Sequence, residues 1–162
     1  MEAPRAVGWP TRRAGDHPYD LHRYLAGEVD SLVGTGTDRR LTDQIDFHDA
    51  SSVTMRHESG VVGHVGATCG ASSFRFETRI VAEDAQLTVD YIDHEIEGLV
   101  DGSPFEYEGD DDWYRRELAA FVDAVERESA GPIRSDYADA ASTLELTLAA
   151  TEAIETDEAI EL

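Results

Sequence analysis

Four stretches in the middle of the chain alternate apolar and polar residues with a period of two, and this constrains the fold more than any other feature. Val53, Met55 and His57 alternate with Thr54, Arg56 and Glu58, and the stretch Val61–Cys69 continues the pattern. Phe74, Phe76, Thr78 and Ile80 alternate with Arg75, Glu77 and Arg79, and Leu87, Val89 and Tyr91 with Thr88 and Asp90. Further strands are predicted at Glu28–Thr37, His94–Leu99 and Ser103–Glu108. Strands with one apolar and one polar face build an antiparallel sheet covered on one side. Ser59-Gly60 reads as a two-residue hairpin loop, which places His64 opposite Met55. Cys69, the single cysteine, falls on the apolar side of its strand and is expected to be buried, and it excludes an internal disulfide.

Helical patterns flank this sheet. In Gly15-Asp16-His17-Pro18-Tyr19-Asp20-Leu21-His22-Arg23-Tyr24-Leu25-Ala26-Gly27, Asp16 is a candidate N-cap, Pro18 suits the first turn and Gly27 suits the helix end. Leu21, Tyr24 and Leu25 form the expected buried face. His17 stands at the N-terminus of this helix, with Asp20 one turn on and predicted beside it, a pair suited to proton handling or anion binding. Near the other end, Asp110-Asp111-Asp112 precede a helix through Ser129 with Tyr114, Leu118, Phe121, Val122 and Val125 on one face. Ser135 is the expected cap of a last helix burying Tyr137, Ala141, Leu144 and Leu148, and 158–162 reads as a closing strand. Residues 1–14, with two prolines and no period, read as an irregular N-terminal arm, and 15–162 as one domain.

Charge narrows the partners. The 162 residues hold 35 Asp and Glu against 13 Arg and no Lys, a net charge of −22 that repels nucleic acid and anionic membranes. That balance, spread along a core-forming chain, suggests adaptation to high salt. No apolar run reaches membrane-spanning length and no signal-peptide core is seen, so a cytoplasmic protein is expected. His48, His57, His64 and His94 are scattered, so no metal site is predicted, and no glycine-rich phosphate loop follows a strand.

The stretch from Gly15 to Val29 resembles the start of the C-terminal domain of the Gfo/Idh/MocA (glucose–fructose oxidoreductase / inositol dehydrogenase) family. Glu58-Ser59-Gly60-Val61-Val62-Gly63 resembles its hairpin, and Ala82–Asp90 resembles its next strand with Ala82 and Ala85 in place of two glycines. Glu117, Phe121, Pro132, Ser135 and Asp139 resemble its closing pattern. The resemblance implies an α+β domain, an antiparallel β-sheet with helices on one face, without a Rossmann domain. It implies the substrate and assembly half of an NAD(P)-dependent oxidoreductase acting on a sugar, cyclitol or related polyol. His17 and Asp20 match the family's catalytic motif, whereas Arg13 stands where an Asp often lies. NAD or NADP is implied for a complete enzyme and not for this chain alone. The expected partners are a Rossmann-domain chain or a second copy, meeting on a polar sheet face with Arg56, Arg75, Glu77, Arg79 and Asp90. The competing reading is a non-catalytic binding or oligomerisation module, or a truncated gene product.

Overall fold

A computed structural model describes residues 16–41, 45, 47–131 and 133–162. The expected N-terminal arm, residues 1–14, lies outside them. The described elements run α1 (His17–Ala26), β1 (Val29–Thr37), β2 (Ala50–His57), β3 (Val62–Thr68), β4 (Glu77–Val81), β5 (Ala85–Asp90), β6 (Glu95–Val100), β7 (Ser103–Glu108), α2 (Trp113–Glu126), α3 (Tyr137–Thr156) and β8 (Ile160–Glu161). The fold is α+β, and the alternating stretches form two four-stranded antiparallel sheets, ordered β3-β2-β1-β8 and β4-β5-β6-β7. By internal contacts the chain divides into two compact units, one of residues 1–71 with 135–162 and one of residues 72–134.

In the first unit the core lies between sheet and α3. Val29, Leu32, Val53, Met55 and Val65 meet Leu146, Ala149, Ala150, Ala153 and Ile154, and Tyr19 joins from α1. Burial pushes the Tyr19 phenol up to about 12. Gly34 in β1 lets α3 come close: a Cβ there would stand 2.7 Å from Ile154 Cγ1. Helix α3 does not bury the stripe its large residues suggest, since Tyr137, Leu144 and Leu148 are exposed. Its buried face is small, running through Thr143, Thr147, Ala150 and Ile154. Thr147 can face the core because its Oγ1 donates to the Thr143 carbonyl at 2.8 Å within the helix, and Thr143 because its Oγ1 donates to Asp20 of α1. Its cap is Asp136, which accepts from the Asp139 N–H, rather than Ser135.

The β2–β3 hairpin also differs from expectation. The His57 N–H donates to the Val61 carbonyl and the Gly60 N–H to the His57 carbonyl, so the loop has three residues, Glu58-Ser59-Gly60. Gly60, at φ +84°, takes the left-handed position that closes such a loop. The extra residue shifts register by one: His64 faces Thr54, and Gly63 faces Met55. Cys69 is exposed rather than buried: it lies one residue past the end of β3, although its N–H continues the register by donating to the Asp49 carbonyl.

The second unit is a meander whose last turn, Asp101-Gly102, has φ of 50° and 72°, the pair a two-residue hairpin turn requires. The residues expected to share one polar face do not: Arg56 lies in the first sheet, whereas Glu77, Arg79 and Asp90 lie in the second, with Arg75 just before β4 and paired to Glu77 at 2.6 Å. No residue of α2 is buried, so its apolar face of Leu118, Phe121, Val122 and Val125, expected to pack as scaffold, is exposed.

Across this second sheet Glu77 faces Asp90, Asp90 faces Glu95 and Glu95 faces Glu108, while Glu97 faces Glu106. Like charges directly opposite destabilise strand pairing. Raising salt from about 0.1 M to about 1 M shortens the Debye length from ~10 Å to ~3 Å. The melting temperature should therefore climb by roughly 5 °C or more in a calorimetric salt series. A flat or falling series would remove the case for salt adaptation.

Candidate functional site

The head of α1 is built as its sequence suggests, with Pro18 in the first turn and Gly27, at φ 87°, ending the helix. Asp16 sits at the cap position without a side-chain cap bond. His17 is the first helical residue and is exposed. Asp20 is turned elsewhere: its Oδ1 accepts from Thr143 Oγ1 on α3 at 2.9 Å. The same hydroxyl accepts from Arg23 Nη1 at 2.7 Å, and that nitrogen also meets the Asp139 carbonyl and carboxylate at 2.9 and 3.0 Å. Arg23 grips Glu28 with Nε at 2.9 Å and Nη2 at 2.7 Å. Its hydrogen bonds, that from Arg23 first, pull the Glu28 carboxyl below the usual range. Asp20, Arg23 and Thr143 thus dock α1 on α3 and leave His17 free at the helix head.

This network fixes which face of α1 is buried. Tyr19 and the Arg23 side chain turn inward, while Tyr24 and Leu25 are exposed, against the expectation that Leu21, Tyr24 and Leu25 face the core. A guanidinium with a full set of acceptors takes the inner position that a tyrosine and a leucine were expected to hold.

Two histidine arrangements were not legible in the sequence. Asp38 Oδ1 lies 2.8 Å from His48 Nδ1, and the His48 ring rests on Gly36, where a Cβ would stand 2.6 Å from His48 Cδ2. Beside it, the Asp49 carboxylate accepts from the Arg39, Arg40 and Leu41 N–H groups, and these bonds, Arg40's first, hold its carboxyl below the usual range. The second arrangement is His22 of α1 stacked on His57 of β2 over Gly63, with ring centroids 5.7 Å apart and planes at 21°. Both depend on glycines in strands, which single-residue motifs do not reveal. A cavity of about 410 Å³ opens on the other face of the first sheet, lined by Ser31, Val33, Thr54, Arg56 and Val62 among others and by no residue of α1. Among the described residues no group of three or more His, Cys, Asp or Glu is placed to hold a metal ion. No helix among them is long and apolar enough to cross a membrane.

The described residues do not fit a dinucleotide. Their strand-to-helix connection, from β7 to α2, carries Asp110, Asp111 and Asp112 where a pyrophosphate would approach a helix N-terminus. Asp112 and Asp110 are instead paired with Arg115 and Arg116.

The family model for the GFO/IDH/MocA C-terminal domain matches residues 4–88, just over half of the chain. The chain belongs to the GFO/IDH/MocA family. No functionally curated protein matches this family member by sequence. Solved structures share its fold. A levoglucosan dehydrogenase in complex with NADH and levoglucosan superposes with a TM-score of 0.76 at 18% identity, over 91% of this chain and 48% of that one. The aldose-aldose oxidoreductase from Caulobacter crescentus complexed with glycerol gives 0.78 at 16% identity, over 100% and 52%. The UDP-N-acetylglucosamine 3-dehydrogenase from Acidithiobacillus ferrooxidans gives 0.75 at 19% identity, over 86% and 45%. This GFO/IDH/MocA domain therefore spans about half the length of the structures it matches.

Proposed function

We propose that this domain is the substrate-binding and assembly half of an NAD(P)-dependent oxidoreductase acting on a sugar, cyclitol or related polyol. The observation that carries the reading is His17, held exposed at the head of α1 within the stretch that the family model matches. Two of the similar structures hold levoglucosan or glycerol, which supports a polyhydroxylated substrate. An imidazole is the side chain suited to exchanging a proton with a substrate hydroxyl near neutral pH. Asp20 acts at one remove, by anchoring α1 through Thr143 so that His17 keeps its place. The nicotinamide, NAD or NADP, belongs on the accompanying nucleotide-binding half, since the described residues of this domain offer it no cradle. Assembly with that half, or with a second copy, completes the unit.

One observation favours a non-catalytic binding or oligomerisation module instead: Asp20 bonds Thr143 and not His17. Titration of the isotopically labelled chain with a panel of sugars, cyclitols and glycerol separates the two. A polyol-binding half should show millimolar saturation, about −4 kcal/mol of binding, with shifts centred on the α1 amides and the His17 ring. His17→Gln should weaken that binding. Shifts from no member of the panel would leave the non-catalytic module standing.

A further inference from the structure

His57 is the most deeply buried ionisable side chain of the core, 1% exposed, and one of its nitrogens is orphaned. Its Nδ1 lies 2.8 Å from the Gly27 carbonyl, which can only accept, so Nδ1 carries the proton and the neutral ring presents Nε2 as a bare acceptor. Nε2 has no partner among the described residues. It points toward Gly63 and His22: a Cβ at Gly63 would stand 3.1 Å from His57 Nε2 and 2.6 Å from His22 Nδ1. Only a glycine leaves room for both rings. His57 therefore ties the sheet to the end of α1 through Gly27, and to its middle through His22.

We infer that the His22–His57 stack is a proton-operated latch between α1 and the β2–β3 hairpin, closed while the His22 ring is neutral and released when it takes up a proton. A proton on His22 sets a cation against the stacked His57 ring in a partly buried site. The groups around the pair relieve this only in part. Glu28, in the turn between α1 and β1, faces His57, but both its oxygens are held by Arg23. Asp139 on α3 is likewise engaged with Arg23. His64 on β3 offers His22 its backbone carbonyl but adds a like charge when protonated, and its ring is bonded to Ser52. The His22 imidazole accordingly sits below its ordinary value of 6.5, through burial first and the His57 charge second. A base whose folded value is depressed binds fewer protons closed than open, so the latch loses stability as pH falls through 6.5.

Hydrogen exchange on the full chain tests this, corrected for the intrinsic pH dependence of exchange, with peptides from α3 as internal reference. From about pH 7.5 to about pH 5.5, α1 protection should fall by about tenfold as His22, kept neutral by closure, takes up its proton on opening, while α3 protection holds. His22→Asn removes the titrating ring and should abolish the fall; His57→Asn keeps an amide near the Gly27 carbonyl, removes the ring that His22 stacks on and should shrink the fall. If His57→Asn does not fold, His22→Asn decides alone. Flat α1 protection in the wild type, or an undiminished fall in His22→Asn, overturns the latch. Loss of polyol binding on release additionally rests on His17 being the proton-handling residue, and polyol titration at the two pH values separates that reading from the latch.

Discussion

Gly98→Ala is expected to remove the β4–β7 sheet from the folded protein while β1–β3 stay paired. Gly98 sits in β6 opposite Leu87 with φ +150°, a conformation that L side chains rarely adopt. A Cβ at this position would stand 1.9 Å from the Gln86 carbonyl oxygen and 2.9 Å from its carbon. Those atoms are backbone of the neighbouring strand, so no side-chain rotation relieves the overlap. The central β5–β6 pairing must shift instead, and every strand of this sheet depends on that pairing. Backbone strain of about 1–3 kcal/mol adds to an overlap of larger size, and a four-stranded meander has little margin against the sum. Amide exchange should show protection lost across residues 77–108 and retained across β1, β2 and β3. Gly102→Ala, a turn glycine with nothing within 4 Å of its added Cβ, is the milder control. Intact protection in β5 and β6 of Gly98→Ala would show that the register between those strands is wrong.

The period-two alternation made the strands legible because each sheet has one face turned away from solvent more than the other. It did not reveal that the strands divide between two sheets, since alternation is the same whichever neighbour a strand takes. The hairpin register failed by one residue at Gly60, where a three-residue loop and a two-residue loop share the same glycine signal. Helix α3 was located correctly but its inner face was not. Ile154 packs against the glycines of β1, alanines and threonines make up much of the rest of the buried face, and Leu144 and Leu148 turn outward. Near the candidate site, the place of His17 at the head of a helix was legible, because Pro18 and Gly27 marked the helix ends. The commitment of Asp20 to Thr143, 123 residues away, was not, nor were the Asp38–His48 and His22–His57 arrangements. Each needs a tertiary neighbour, and the two histidine arrangements also need a glycine in a strand to make room for a ring.

The measurement that bears most directly on the central claim is polyol oxidation by this domain joined to a nucleotide-binding half, wild type against His17→Gln. Proton transfer by a positioned side chain contributes typically 10²–10⁴-fold, so kcat/KM should fall by roughly that factor. Because His17 is exposed, the melting temperature should not move. Asp20→Asn should differ in kind: it weakens the bond to Thr143, lowers the melting temperature and costs less in rate, since it acts only by holding α1. Wild-type protein should reduce NAD or NADP with at least one sugar, cyclitol or related polyol, and His17→Gln should do so hundreds of times more slowly. Equal rates for the two proteins, or no reduced nicotinamide from wild type with any member of the panel, would contradict the account.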